Sequence, residues 1–74
     1  MITVVEKRAE GNRTAFITID ADSFEEARSS EARALAIRES TTLGLSSPGT
    51  DILPAPRRQD DGKFRLIIQC NGRV

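Results

Sequence analysis

The sequence has no histidine, no tyrosine and no tryptophan, and it has a single cysteine, Cys70. Each absence removes a class of chemistry. Without an imidazole, a serine or cysteine nucleophile has no His base to activate it. One thiol and no imidazole supply no ligand set for a zinc site built on Cys and His. A lone cysteine closes no internal disulfide, which suits a reducing, cytoplasmic setting. Aromatics are also scarce: three Phe give little for nucleic-acid bases to stack on. No apolar run approaches the ~18 residues needed to cross a bilayer. The start, "MITVVEKRAEG", turns charged by Glu6 and lacks the apolar core of a signal peptide. A soluble chain with no membrane partner is expected.

Charge of one sign is lacking too. Eleven basic and eleven acidic residues cancel, so no global field steers the protein toward nucleic acid or membrane. The five Gly are scattered and form neither phosphate-cradling motif, G-x-x-x-x-G-K-[ST] or G-x-G-x-x-G. No cofactor is expected. The nearest approach to a metal site, "DADSFEE", places Asp20 and Asp22 at alternate positions but lacks the remaining ligands of a calcium loop. Helix capping accounts for the same residues, and no metal is expected. An enzyme is the least expected class.

What the chain does contain is a clear order of elements. Residues 2–8, "ITVVEKR", are rich in β-branched side chains and predict a strand. A turn at "EGNR" leads to 14–20, "TAFITID", in which Ala15, Ile17 and Ile19 face one way and Thr14, Phe16, Thr18 and Asp20 the other. Ser23 with Glu26 makes an S-x-x-E capping box, and a helix over 24–40 follows with no internal Pro or Gly. Residues 40–50 read as a flexible loop, with a sharper alternative in which Leu43 and Leu45 contact a partner. "DILPAPRR" places Pro54 and Pro56 two apart, which confines that strand to a sheet edge. "KFRLIIQC", after an Asp-Gly turn, has Phe64, Leu66, Ile68 and Cys70 on one face and Arg65, Ile67 and Gln69 on the other.

The predicted fold is a single α+β domain over 1–74, β-β-α-β-β, with a four-stranded, antiparallel-rich sheet and one helix on one face. The proline-bearing strand as an edge predicts the order second–first–fourth–third, with "TAFITID" at the other edge. The opposite sheet face, carrying Phe16, Arg65 and Ile67, has no second helix to cover it.

Two groups of charged residues stand out. Arg57, Arg58, Lys63 and Arg65, together with Arg73, cluster around the second hairpin and form a basic patch. On an unbroken helix, Phe24, Ala27, Ser30, Ala34, Leu35 and Ile37 define an apolar arc, and Glu31 and Arg38 fall inside it. Either their stems cover the core edge while their heads reach water, or that stripe faces a partner.

The stretch "FITIDADSFEEARSSEARALA", a strand running through an acidic cap into an Ala-rich helix, resembles the layout of very small phage-encoded accessory proteins, anti-CRISPR proteins among them. The resemblance implies a non-catalytic inhibitor that occupies a surface of a host CRISPR effector complex in the host cytoplasm. It transfers no residue-level role, and the balanced charge departs from the acidic, DNA-mimicking members. The expectation is therefore a non-enzymatic protein-binding module. It would use Arg57, Arg58, Lys63 and Arg65, with Glu31, Arg38, Leu43 and Leu45 as lesser candidates. The alternatives are a nucleic-acid binder using the same hairpin and Phe16, and a homodimeric subunit joined through "TAFITID".

Overall fold

Strands β1 (Thr3–Glu10) and β2 (Thr14–Ala21) form an antiparallel hairpin around Gly11. Gly11 has a φ of 68°, which a residue without Cβ adopts without strain. The computed structural model describes residues 1–72, so Arg73 lies outside the described residues. Strand alternation holds along β2. Ala15, Ile17, Ile19 and Ala21 are fully buried, while Thr14, Phe16, Thr18 and Asp20 are half-buried on the other face.

The helical stretch is two helices, α1 (Phe24–Ala27) and α2 (Ser30–Thr42), not one. Ser23 caps α1 by accepting from the Glu26 N–H at 3.1 Å. The reciprocal arm of the capping box differs from the expected one, because Glu26 Oε1 accepts from the Asp22 N–H at 2.9 Å. Ser29 then acts as a second N-cap, its hydroxyl accepting from the Ala32 N–H at 3.2 Å. This break sets a new helical phase.

The buried residues of α2 are Ala32, Ala36 and Ser40, spaced by four along one face. Leu35 and Ile37 flank that stripe, and Glu31 and Arg38 are exposed on the opposite side. The expected arc was therefore centred on the wrong residues. Short side chains let the helix lie close to the sheet, so the stripe that meets Ile17, Ile19, Leu66 and Ile68 is made of alanines and a serine. The larger aliphatics fill the edges. Ser40 satisfies its hydroxyl within the helix, donating to the Ala36 carbonyl at 2.8 Å.

The helix also runs past the expected boundary, so residues 40–42 of the predicted loop are its last turn. Beyond them Leu45 is buried in the core at 3% exposure and Leu43 packs against it. Both leucines are structural anchors, and a partner-contacting role for Leu45 is excluded by its burial.

The third predicted strand is split in two, β3 (Gly49–Thr50) and β4 (Arg57–Arg58), each pairing antiparallel with β5 (Phe64–Asn71). Between them Leu53 and Pro56 are buried while Pro54 and Ala55 are exposed. The sheet order is β1-β2-β5-β3, with β4 on the same side of β5 as β3. This reverses the expected placement of the first hairpin. β2 is central, paired with β1 on one side and β5 on the other, so "TAFITID" offers no edge to a second copy. The reason lies in composition. The helix-facing row of β2 is wholly apolar and fits beneath α2, whereas β1 places Lys7 on that side, where it pairs with Glu39 at 3.2 Å. A row of Val4, Lys7 and Ala9, interrupted by one charge, is tolerated only at the margin of the helix.

Candidate functional site

Among the described residues, the helices cover one side of the sheet and leave the other bare. Cross-strand register places side chains on that bare side in rows. Arg8, Phe16 and Gln69 form one row, and Glu6, Thr18 and Ile67 the next. Thr3, Asp20, Arg65 and Arg57 form the third. The Arg8 guanidinium lies 5.1 Å from the Phe16 ring centroid, within cation–π range. Arg8 also pairs with Glu10 at 3.5 Å. Ile67 stands in the middle of the face with 53% of its surface exposed.

The basic hairpin separates into two pairs. Arg65 donates from Nε to Asp20 Oδ1 at 2.8 Å and from Nη2 to Asp20 Oδ2 at 3.0 Å. This fork holds the Asp20 carboxyl below the usual carboxylate range, against a smaller opposing effect of desolvation. Lys63 donates to Asp22 Oδ1 at 2.9 Å. The Met1 α-amino group contacts the other oxygen of Asp22, and that amine, followed by Lys63, pulls the Asp22 carboxyl down to about 2. Lys63 and Arg65 are correspondingly pushed up by Asp22 and Asp20. Arg57 and Arg58 make no ion pair among the described residues.

A groove of about 330 Å³ opens at the edge of this face, lined by Pro54, Ala55, Arg57, Gln59, Arg65, Leu66 and Ile67. It therefore unites two of the four expected hairpin residues, Arg57 and Arg65, and leaves Arg58 and Lys63 beside it. A second groove of about 310 Å³ lies on the far side of α2, between Met1, Ile2, Glu31, Ala34, Leu35 and Arg38. Glu31 and Arg38 are thus neighbours across a shallow surface that shares no lining residue with the hairpin groove, and the two candidate groups line separate grooves. Phe24, from the expected apolar arc, and Phe64 meet edge-to-face at the rim of the core with centroids 6.2 Å apart, and Phe24 stays 38% exposed.

Sequence pattern alone did not reveal the Arg8–Phe16 pair, the neutralising role of Asp20 and Asp22, or the groove at Pro54 and Ala55. The Pro-x-Pro spacing was the available signal for the groove, since it forbids a continuous third strand. The pairing of Asp20 with Arg65 needed the register of two strands far apart in sequence. The bare face offers apolar contact area, amide and hydroxyl hydrogen-bonding groups, and two arginines at its margin. No helix among the described residues is long and apolar enough to cross a membrane. No protein-family model, curated protein or solved structure matches the chain.

Proposed function

We propose that this chain is a non-enzymatic protein-binding module whose interface is the bare sheet face and the groove at its edge. The observation that carries the proposal is the internal neutralisation of that face. Asp20 and Asp22 take up Arg65 and Lys63, and Glu10 takes up Arg8. Nucleic-acid affinity depends on cations that meet phosphates and release counterions, and most of the cations here are already engaged by carboxylates. A mixed face with Phe16, Thr18 and Ile67 at its centre suits a protein surface instead. Size agrees with using the whole face. A standard interface buries roughly 800 Å² per partner, about a sixth of the 4763 Å² that the chain exposes, which the groove alone does not supply.

The outer edge of β1 is the less favoured surface. It carries Glu6, Lys7, Arg8 and Glu10 with a register shift between Val4 and Glu6, the charges and bulge that guard an edge against pairing. The narrower proposal, a phage-type inhibitor of a host CRISPR effector complex, draws on the layout resemblance. A plasmid-interference assay in cells carrying such a complex tests it.

The broader proposal is tested by affinity capture with wild type, Phe16→Ala, Ile67→Asp and the double variant Glu31→Ala/Arg38→Ala. The expected result is a specific protein partner lost with the first two variants and kept with the third, at unchanged melting temperature. Retention of DNA or RNA at low salt with no protein partner overturns it in favour of nucleic-acid binding.

A further inference from the structure

The groove at the sheet edge is a gap in the hydrogen-bond ladder. From Thr50 to Arg57 the outer chain takes seven steps, while β5 takes five between their partners, Cys70 and Arg65. Two residues are therefore looped away opposite Ile67. The direction of the β5 backbone there follows from its neighbours. Asp51 N–H donates to the Gln69 carbonyl at 3.0 Å, and Gln59 N–H donates to the Lys63 carbonyl at 2.7 Å. Backbone groups along a strand alternate sides, so the N–H and C=O of Ile67 also point toward this outer edge. Among the described residues, no backbone group of 52–56 bonds to them. Pro54 and Pro56 have no N–H to offer, and burial of Leu53 and Pro56 holds the segment in its looped course.

The groove thus presents one donor and one acceptor side by side, apolar walls from Pro54, Ala55 and Ile67, and an arginine, Arg57, without an ion pair among the described residues. A nucleic-acid phosphodiester carries no hydrogen-bond donor and leaves the Ile67 carbonyl unmet. A strand-like peptide offers an N–H and a C=O on the same edge and satisfies both groups. The unengaged Arg57 selects a carboxylate beside it.

We propose that this gap receives an extended acidic segment of the partner protein. One residue of that segment hydrogen-bonds to the N–H and C=O of Ile67, and an Asp or Glu side chain of it pairs with Arg57. This is strand addition reduced to a single bridge, and it rests on the protein-binding reading above.

The experiment is an ¹⁵N-resolved NMR titration of the full chain with acetyl-Thr-Val-Asp-Val-Asp-Thr-amide and with the same peptide carrying Lys for Asp. The acidic peptide is expected to shift the Ile67 amide and to slow its hydrogen exchange. Its affinity should exceed that of the basic peptide by about fivefold or more, the scale of one partly exposed charge pair. Arg57→Gln should remove that preference while leaving the melting temperature unchanged. An unmoved Ile67 amide, or equal binding of the two peptides, overturns the proposal. If the Ile67 amide stays unmoved while Phe16→Ala and Ile67→Asp still abolish partner capture, the peptide assignment falls and the broader reading stands. Capture that ignores both substitutions sinks the broader reading.

Discussion

Arg65 grips Asp20 through two hydrogen bonds, Nε to Oδ1 at 2.8 Å and Nη2 to Oδ2 at 3.0 Å, straight across the ladder between β2 and β5. The fork ties the two central strands together on the face opposite the helices. It also makes the stability of the sheet sensitive to acid.

The Asp20 carboxyl is lowered from 3.8, and that of Asp22 is lowered to about 2 by the N-terminal amine and Lys63. Carboxyls lowered in the folded state stabilise it above their unfolded value, and that contribution disappears as pH falls through the folded value. Melting temperature should therefore drop between pH 3.8 and about 2. Asp20→Asn should show a shallower drop, measured by circular dichroism. An acid limb identical to that of wild type would contradict the assignment to this pair.

Ala36 lies fully buried where α2 crosses the sheet. Ala36→Leu is expected to destabilise by about 1–3 kcal/mol, the usual cost of overpacking a close contact. Glu31→Ala and Arg38→Ala, on the exposed side, should change stability by no more than about 0.5 kcal/mol each. Urea unfolding separates these cases. A large loss at Arg38 would show that its stem supports the core after all.

Leu45 and Ile52 make a second contrast. Leu45 is 3% exposed and Ile52 92% exposed. Leu45→Ala should cost about 2–5 kcal/mol through lost burial and the cavity left behind. Ile52→Ala should be neutral to within about 0.5 kcal/mol. Chemical denaturation of both variants checks the prediction.

Cys70 is buried against the helix, and burial pushes its thiol up from the ordinary value, opposed in part by the neighbouring Ser40 hydroxyl. The thiol should react with a disulfide reagent far more slowly in the native protein than in urea, because only the exposed thiolate attacks. Native labelling as fast as unfolded labelling would refute its enclosure.

The strand periodicities of β2 and β5 were legible in the residues because a period of two is a local property. So were the cap at Ser23 and the placing of a proline segment at the sheet margin. The helix face was not. The larger Leu35 and Ile37 point to one arc, whereas the packed stripe is Ala32, Ala36 and Ser40, reset in phase by the break at Ser29. Strand order was missed for a similar reason. Prolines identify one edge, but the choice between β1 and β2 for the centre depends on which row fits beneath a helix.

Sequence alone determined the element types, the two-sided strands, the α+β class and the scarcity of catalytic side chains, all of which follow from local pattern and composition. Tertiary structure decided which residues meet. It joined Asp20 to Arg65 and Asp22 to Lys63, turned Glu31 and Arg38 away from the core, drew Leu45 inward and left the Ile67 backbone without a hydrogen-bond partner on its outer edge among the described residues. Those outcomes depend on register between strands distant along the chain and on the depth at which a helix rests on a sheet. Both are settled by packing the whole domain at once.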